Sequence, residues 1–216
     1  MVNQKKLFSN ILVLAPHTDD GELGAGGTIS KFIKSGSKVS YIAFSSCKES
    51  VPTGFPEDVL IEEAKKATKL LGVKKKDLYI LDYKVRQFDQ SRQEILDDII
   101  EFRNNNNFDL VLMPSLNDVH QDHSVIAFEG LRAFKNSSTI LSYDLPWNNP
   151  SFNSSCFIEI SEIDAKRKYE ALKCYKSQKN RIYMQKDNIF GLLLYNGMQK
   201  GSKYAESFEV VRWYIN

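Results

Sequence analysis

The sequence predicts an α/β fold in which a mostly parallel sheet is covered by helices. Short runs of aliphatic and β-branched residues alternate with segments of helical period, an order typical of successive β–α–β units. The first run, ILVLA at residues 11–15, is apolar throughout, as expected of a strand buried on both faces. The chain has 216 residues, of which 42% are hydrophobic, and this length fits one domain, residues 1–216, with a less regular part from about residue 150.

Seven segments have the length and composition of strands. The first five alternate with helical segments, CFIEI at residues 156–160 has the pattern of an edge strand, and a last strand ends the chain. These predicted strands cover residues 11–15, 38–44, 78–83, 108–114, 139–143, 156–160 and 207–215. Their order predicts a sheet whose early strands are parallel.

The helices are predicted from apolar spacing and from the residues that begin or end a helix. GAGG at residues 24–27 is expected to open the first helix, and a second helix, from Pro56, should end at Gly72. Ser91 and Glu94 have the spacing of a capping box for a helix that buries Ile95, Ile99 and Phe102 and ends in the asparagine run 104–107. Further helices are predicted over residues 124–134 and 163–175, whereas residues 189–195 form an apolar stretch of less regular pattern.

Charge and cysteine content exclude several classes of protein. The 29 Lys and Arg residues nearly balance the 27 Asp and Glu residues, so no basic surface for nucleic acid is expected. Three cysteines at scattered positions argue against a disulfide framework, and no apolar run is long enough for a signal-peptide core or a membrane span. We therefore expect a soluble, cytoplasmic protein. No repeat or heptad predicts the number of copies that assemble.

All three histidines of the chain follow predicted strands. His17 comes directly after the first strand, next to Asp19 and Asp20, and His120 and His123 follow the fourth strand in DVHQDH. The carboxyl ends of neighbouring parallel strands meet at one edge of a sheet, so these two loops can form a single site.

Two imidazoles and one carboxylate are a ligand set that zinc and similar divalent metals accept, with one position left for water. Two adjacent acids also allow a division of labour, in which Asp20 holds the metal and Asp19 takes a proton from water. Isolated His-x-Asp or His-x-x-His pairs occur often by chance, usually at the surface. The coincidence of all three histidines in acid-rich loops at strand ends favours a metal site.

A dinucleotide-binding turn is the competing interpretation of the glycines at residues 24–27. A G-x-G-x-x-G pattern starting at Gly24 would need glycine at Ile29. No acid that could bind a ribose ends the second strand, where Ser45, Ser46 and Cys47 stand instead. The glycines are therefore expected to allow close packing of the helix beneath a metal site, and Cys47 is interpreted as structural.

The segment PHTDDGELGAGG, residues 16–27, resembles the P-H-x-D-D-x-x-L-G-x-G-G signature of the PIG-L/LmbE-like zinc-dependent de-N-acetylases. DVHQDH resembles their second motif, and KRKYEALKCYKSQ at residues 166–178 is similar to a later helix that ends in Ser-Gln. The resemblance implies a Rossmann-like fold and a hydrolase that removes the N-acetyl group from an amino sugar or an N-acetylglucosamine conjugate, with release of acetate.

The resemblance also implies roles for individual residues. His17, Asp20 and His123 would bind one Zn²⁺, for which Fe²⁺ is the alternative metal, and Asp19 would be the general base. His120 would stabilise the oxyanion or protonate the leaving amine. Asp122 would orient His120 through a hydrogen bond, and Asp118 would lie behind the ligands.

The substrate is less well defined by the sequence. Many members have an arginine that contacts the substrate at the position of Leu60 in this chain, and Arg86 and Arg92 are the candidates to replace it. Trp147 belongs to an aromatic group, with Tyr143, Phe152 and Phe157, that could stack on a sugar at the mouth of the site. Two alternatives stay open: a metal-dependent amidase or esterase acting on a non-sugar molecule, and a sugar- or nucleotide-binding module without catalysis.

Overall fold

The computed structural model describes residues 6–215, which form seven strands and six α-helices. The strands are β1 (Asn10–Ala15), β2 (Lys38–Ala43), β3 (Leu78–Ile80), β4 (Leu110–Pro114), β5 (Thr139–Tyr143), β6 (Cys156–Glu159) and β7 (Ala205–Arg212). They make one sheet in the order β3-β2-β1-β4-β5-β7-β6. The first five strands are parallel, and β7 pairs antiparallel with both β5 and β6. The predicted mostly parallel sheet is confirmed, with β6 at its edge.

The helices cover both faces of this sheet, as predicted. They are α1 (Asp20–Lys34), α2 (Val59–Leu71), α3 (Arg92–Asn105), α4 (Gln121–Phe134), α5 (Glu162–Leu172) and α6 (Lys186–Lys200). Helices α3 and α4 pack together on one face, and the other four pack on the opposite face. Because side chains alternate along a strand, Ile11 and Val13 of β1 enter one core, and Leu12 and Leu14 enter the other.

The position of the site follows from the strand order. The chain crosses from β1 to β2 on one side of β1, and β4 lies on the other side, so the order reverses between β1 and β4. Loops that follow two such strands diverge to opposite faces and leave a crevice at the carboxyl edge of the sheet. The segments that carry His17 and His120 follow β1 and β4, and both therefore reach this crevice.

Helix α1 is broken at Ala25, whose backbone (φ −139°, ψ 15°) is not helical. Two buried side chains bind the backbone groups that this break leaves free. Lys168 Nζ donates to the carbonyl of Leu23 at 2.6 Å, and the Glu206 carboxylate accepts the amides of Gly27 (3.0 Å) and Thr28 (2.6 Å). Lys168 and Glu206 also pair with each other at 2.6 Å, so one ion pair caps both halves of the helix.

The glycines of the first helix lie inside it and do not open it, which corrects the sequence prediction. The helix begins at Asp20, four residues before the GAGG segment. A Cβ at Gly24 would stand 2.3 Å from the Tyr143 ring, and one at Gly27 would stand 2.4 Å from Ile160. Glycine is needed at both positions because Tyr143 of β5 and Ile160, which follows β6, lie directly against the helix backbone.

Several boundaries differ from the predicted ones. Strand β3 stops at Ile80, and α4 begins at Gln121 rather than at residue 124, so His123 lies in its first turn. The apolar stretch around residues 189–195 is part of the 15-residue helix α6. Ser91 precedes α3, but its side chain makes no capping hydrogen bond, because its backbone (φ −115°, ψ 25°) continues from a 3₁₀ turn.

The end of α2 agrees with the prediction, and the buried face of α3 agrees with it in part. Gly72 ends α2 in the left-handed conformation (φ 102°), as expected of a C-terminal glycine. Ile95 and Ile99 of α3 are fully buried, whereas Phe102 is only partly buried at the edge of the second core. Within residues 6–215, no helix is both long and apolar enough to cross a membrane.

Candidate metal centre and active site

Three potential metal ligands meet above β1 and β4. His17 lies in the loop after β1, Asp20 begins α1, and His123 lies in the first turn of α4. His17 Nδ1 is 3.1 Å from Asp20 Oδ2, His123 Nε2 is 3.3 Å from the same oxygen, and the two nitrogens are 3.2 Å apart. Neighbouring ligand atoms in a tetrahedral zinc site, with bonds of about 2.0–2.1 Å, are separated by about 3.3 Å. The three atoms therefore form a triangle of the size that such a metal needs.

Buried carboxylates hold the outer nitrogens of both histidines. His17 Nε2 contacts Asp122 Oδ2 at 3.0 Å, and His123 Nδ1 contacts Asp118 Oδ2 at 2.7 Å. Carboxylates in this position fix the ring orientation and the tautomer of a metal-binding histidine. They leave His17 Nδ1 and His123 Nε2 to face each other across the site.

The proton positions in this cluster favour a cation between the two rings. Although burial opposes a charged ring, Asp20 and Asp122 raise the pKa of His17 to about 9, and Asp20 and Asp118 raise that of His123 to about 10. Two protonated rings would then point N–H groups at each other across 3.2 Å. A divalent cation removes this conflict, because both nitrogens can then offer lone pairs, so the donor set fits a metal.

His120 lies beside this triangle. One ring nitrogen from each of His17, His120 and His123 lies within 4.8 Å of the other two, so a site of three histidines is the alternative ligand set. The triangle with Asp20 is tighter, and His120 differs from the other two rings. Burial, followed by the charges of His123 and His17, lowers the pKa of His120 to about 4. His120 is thus the neutral histidine of the cluster.

The contacts of Asp122 differ from those predicted. Its carboxylate does not orient His120, because it accepts hydrogen bonds from His17 (3.0 Å) and from the backbone amide of Arg86 (2.7 Å). His120 Nδ1 instead accepts the backbone amide of Asp122 at 3.2 Å, since His120 is the N-cap of α4. An acceptor at Nδ1 places the proton of the neutral ring on Nε2.

Asp19 precedes α1 and lines the cavity beside the three histidines. Burial and the neighbouring Asp20 raise the pKa of its carboxyl to about 6. A carboxylate with a pKa close to neutral accepts a proton more readily than an ordinary aspartate does. Asp19 is therefore a candidate to accept a proton in this cavity.

A buried hydrogen-bond network supports the loop that carries Asp19. The carbonyl of Thr18 accepts the hydroxyl of Tyr175 at 2.6 Å and that of Tyr41 at 3.3 Å. Both hydroxyls also contact the carboxyl of Glu22, which is fully buried. These tyrosines were not predicted from the sequence: Tyr41 lies on β2, and Tyr175 was assigned no role, although it lies within the segment at residues 166–178 that resembles the family.

We expect this network to make the stability of the protein depend on pH. Burial raises the pKa of Glu22 to about 8, whereas an unfolded glutamate has a pKa of about 4.3. Folding is thus coupled to the uptake of a proton between about pH 4.3 and pH 8, and the free energy of unfolding declines as the pH rises through this range. We expect Glu22→Gln to raise the free energy of unfolding by roughly 1–3 kcal/mol at pH 8 but to change it little near pH 4.5. Urea denaturation at both pH values tests this, and an equal pH dependence in the two proteins would contradict it.

A cavity of about 270 Å³ opens above the metal triangle. Its wall contains Arg86 and Trp147, two of the three substrate contacts proposed from the sequence, and Leu60. Trp147 stacks on Tyr183, with ring centroids 4.4 Å apart and planes at 14°. Cys47 also lines the cavity, and burial raises the pKa of its thiol to about 12, so it is no nucleophile at neutral pH.

Arg92 is not among the residues that line the cavity, which corrects the third of these predictions. Its guanidinium pairs with the buried Glu129 of α4, with Nε and Nη2 at 2.9 Å and 2.5 Å from one oxygen. Arg132 contacts the other oxygen of Glu129 at 2.6 Å. Arg92 therefore joins α3 to α4.

The segment between α5 and α6 contributes three cavity residues that were not predicted from the sequence: Gln178, Arg181 and Tyr183. Glu63 of α2 anchors this segment, because its buried carboxylate accepts the amide (3.0 Å) and the hydroxyl (2.5 Å) of Ser177. The sequence signal that could have identified this loop was the pair Ser177-Gln178, which ends the family-like segment at residues 166–178. The anchor explains how a polar loop far along the chain reaches the site.

The chain is similar to known proteins in sequence and in fold. The chain is 27% identical to diacetylchitobiose deacetylase of Thermococcus kodakarensis, over 93% of this chain and 82% of that protein. The solved structure of the N,N'-diacetylchitobiose deacetylase of Pyrococcus horikoshii has a TM-score of 0.78 and 22% identity, and the match covers 97% of this chain and 86% of that one.

The same fold also serves a different reaction. The 4-carboxy-2-hydroxymuconate hydratase of Pseudomonas putida matches with a TM-score of 0.76 and 19% identity, over 96% of this chain and 98% of that one. Fold alone thus does not fix the activity.

The family model described as GlcNAc-PI de-N-acetylase, PIG-L, matches residues 12–134, which include every histidine and all four acids of the site. This chain therefore belongs to the PIG-L family.

Proposed function

We propose that this protein is a metal-dependent hydrolase that removes the N-acetyl group from an amino sugar or an amino-sugar conjugate and releases acetate. The triangle of His17 Nδ1, Asp20 Oδ2 and His123 Nε2, with sides of 3.1–3.3 Å, carries the proposal. Family membership and the 27% identity to a diacetylchitobiose deacetylase support the choice of reaction. We also propose a cytoplasmic location, because the three cysteines are unpaired.

His17, Asp20 and His123 would hold the metal, for which we propose zinc with iron(II) as the alternative. Bound there, the ion would lower the pKa of water and polarise the amide carbonyl of the substrate. Asp118 and Asp122 hold the two ligand rings from behind, at 2.7 Å and 3.0 Å. The chain thereby keeps the ligands in place before a metal or a substrate arrives.

Two residues would handle the proton and the charge of the reaction. Asp19 would accept a proton from the attacking water and return it to the nitrogen that leaves, so that a free amine and acetate are formed. His120 is neutral, and its Nε2–H would donate a hydrogen bond to the carbonyl oxygen as negative charge develops there. The lowered pKa of His120 favours this role over protonation of the amine.

The carboxylates behind the ligands give a prediction about metal affinity. Asp118→Asn keeps the size of the side chain but replaces a charged acceptor by an amide at His123 Nδ1. We expect metal affinity to fall about 10–100-fold, the usual effect of removing such a partner. Competition with a chromophoric chelator measures the affinity. Asp109→Asn is the matched control, because the Asp109 carboxylate accepts the amides of Ser9 and Asn10 and contacts no histidine in residues 6–215, and equal affinities in both variants would contradict the prediction.

Acetate release from a panel of compounds tests the proposed function. The zinc-loaded protein is incubated with N-acetylglucosamine, N,N'-diacetylchitobiose, an acetate ester and a non-sugar acetamide, with Asp19→Asn as the inactive control. The proposal predicts acetate from an N-acetylated sugar with wild type only. Turnover confined to the ester or the non-sugar amide would favour the other hydrolase class. Binding of sugar without any acetate would indicate a binding module.

A further inference from the structure

Two arginines line the cavity in addition to the catalytic groups. Arg86 follows β3 and Arg181 lies between α5 and α6, and both side chains are exposed. Neither guanidinium lies within 4.0 Å of a carboxylate in the described part of the chain, residues 6–215, whereas Arg92 and Arg132 both pair with Glu129. Arg86 and Arg181 therefore have their charges available to a ligand.

The backbone at Arg86 is held in an unfavourable conformation. Its φ of 66° lies in the left-handed region, which glycine or asparagine adopts at lower cost. Its amide donates to Asp122 Oδ2 at 2.7 Å, and the same oxygen contacts the ring of His17 at 3.0 Å. The position of Arg86 is thus tied directly to a metal ligand. Residues strained in this way are concentrated at functional sites.

Arg181 is also held by its surroundings. Its Nε contacts Gln178 Oε1 at 3.4 Å, and its carbonyl accepts Gln185 Nε2 at 3.3 Å. Ser177, four residues earlier, is anchored on the buried Glu63. The guanidinium therefore projects from a fixed segment of chain at the edge of the cavity.

The charges of the cavity favour an anionic ligand. Asp19 and Asp20 are the acids of the cavity wall, and Asp20 faces His17 and His123. Arg86 and Arg181 are the arginines of this wall, and Asp20, which is engaged with the two histidines, does not neutralise them. A guanidinium matches phosphate and carboxylate groups through paired N–H donors.

We propose that Arg86 and Arg181 form an anion subsite, and that the N-acetylated substrate of this protein carries a phosphate or carboxylate group in addition to its acetamide. This inference rests on the proposed function and specifies its substrate class. Leu60, which is buried in the cavity wall, contributes no charge of its own to this recognition.

Substrate preference tests the subsite. The kcat/KM of the zinc-loaded protein is measured for N-acetylglucosamine, N-acetylglucosamine 6-phosphate and N-acetylmuramic acid, which differ in their anionic group. We expect the preferred anionic sugar to exceed the neutral sugar by about tenfold or more, as one charge-assisted hydrogen-bond pair provides. The two anionic sugars distinguish a phosphate from a carboxylate as the recognised group.

Variants assign this preference to the two arginines. Arg86→Ala and Arg181→Ala should each lower the ratio of anionic to neutral kcat/KM about tenfold, and Arg181→Lys should retain part of it. Arg167→Ala, on an exposed arginine of α5 outside the cavity, is the matched control and should leave the ratio unchanged. Calorimetric binding of the preferred anionic sugar to zinc-loaded Asp19→Asn, with and without Arg181→Ala, provides a readout that needs no turnover.

The outcomes separate the subsite from the proposed function. Equal kcat/KM for neutral and anionic sugars, or an equal loss for both in Arg181→Ala, would overturn the subsite and leave the deacetylase in place. If no sugar is hydrolysed, the proposed function fails. In that case, the subsite would still be supported if an anionic sugar binds in calorimetry and Arg181→Ala abolishes this binding. Binding that is unchanged in Arg181→Ala would overturn the subsite.

Discussion

Asp19→Asn is expected to lower kcat about 10²–10⁴-fold while the metal content stays at the level of the wild type. The substitution keeps the size of the side chain but removes its ability to accept a proton. Asp19 lies beside the ligands but is not one of the three atoms of the triangle, so metal binding should persist. Steady-state kinetics and elemental analysis of the same preparations measure both quantities.

The matched control for this substitution is Asp58→Asn. Asp58 precedes α2, is exposed, and makes no capping hydrogen bond, so its replacement should leave kcat within about twofold of the wild type. An Asp19→Asn protein with full activity would show that another group takes the proton. A protein that had lost its metal would instead place Asp19 among the ligands.

Lys168→Met is expected to lower the free energy of unfolding by about 3–5 kcal/mol, the usual cost of removing one partner of a buried ion pair. Lys168 and Glu206 are 6% and 2% exposed, and the lysine also binds the Leu23 carbonyl at the break in α1. Methionine fills similar space but leaves the Glu206 carboxylate without a cation. Urea denaturation of the two proteins gives the difference.

Lys166→Met provides the comparison on the same helix. Lys166 pairs with Glu162 at 2.8 Å, but its side chain is 66% exposed, so its loss should cost less than about 1 kcal/mol. A Lys168→Met protein as stable as Lys166→Met would contradict the role given to the buried pair. It would mean that water or a local shift satisfies the broken helix.

The parts of the fold that the sequence predicted are those encoded by local patterns. Apolar runs such as residues 11–15 identify buried strands, and Gly72 marks the end of a helix, because neighbouring residues decide both features. The break in α1 could not be predicted in this way. It depends on Lys168 and Glu206, which lie 145 and 179 residues from the backbone groups that they bind. Glycines in the sequence showed that something approaches the helix, but not what approaches it.

The candidate site was predicted because its side chains sit at the ends of two strands. His17, Asp19, Asp20, His120 and His123 all lie together at the β1 and β4 edge. The partner of Asp122 was not predictable from spacing, because α4 begins at Gln121 and this sets the direction of the carboxylate. Two further features depend on contacts between residues far apart in sequence. Arg92 binds Glu129, and Arg181 reaches the cavity because Glu63 anchors its segment.

Metal content tests the central claim, that His17, Asp20 and His123 hold one divalent metal. Wild type, His17→Ala, Asp20→Ala and His120→Ala are purified in the same way and analysed by elemental mass spectrometry before and after addition of zinc. We expect about one metal per chain in wild type and His120→Ala, and loss of metal in His17→Ala and Asp20→Ala. Equal, negligible metal in wild type and His17→Ala, not restored by zinc, would contradict it. Retention in Asp20→Ala with loss in His120→Ala would replace the ligand set with the three histidines.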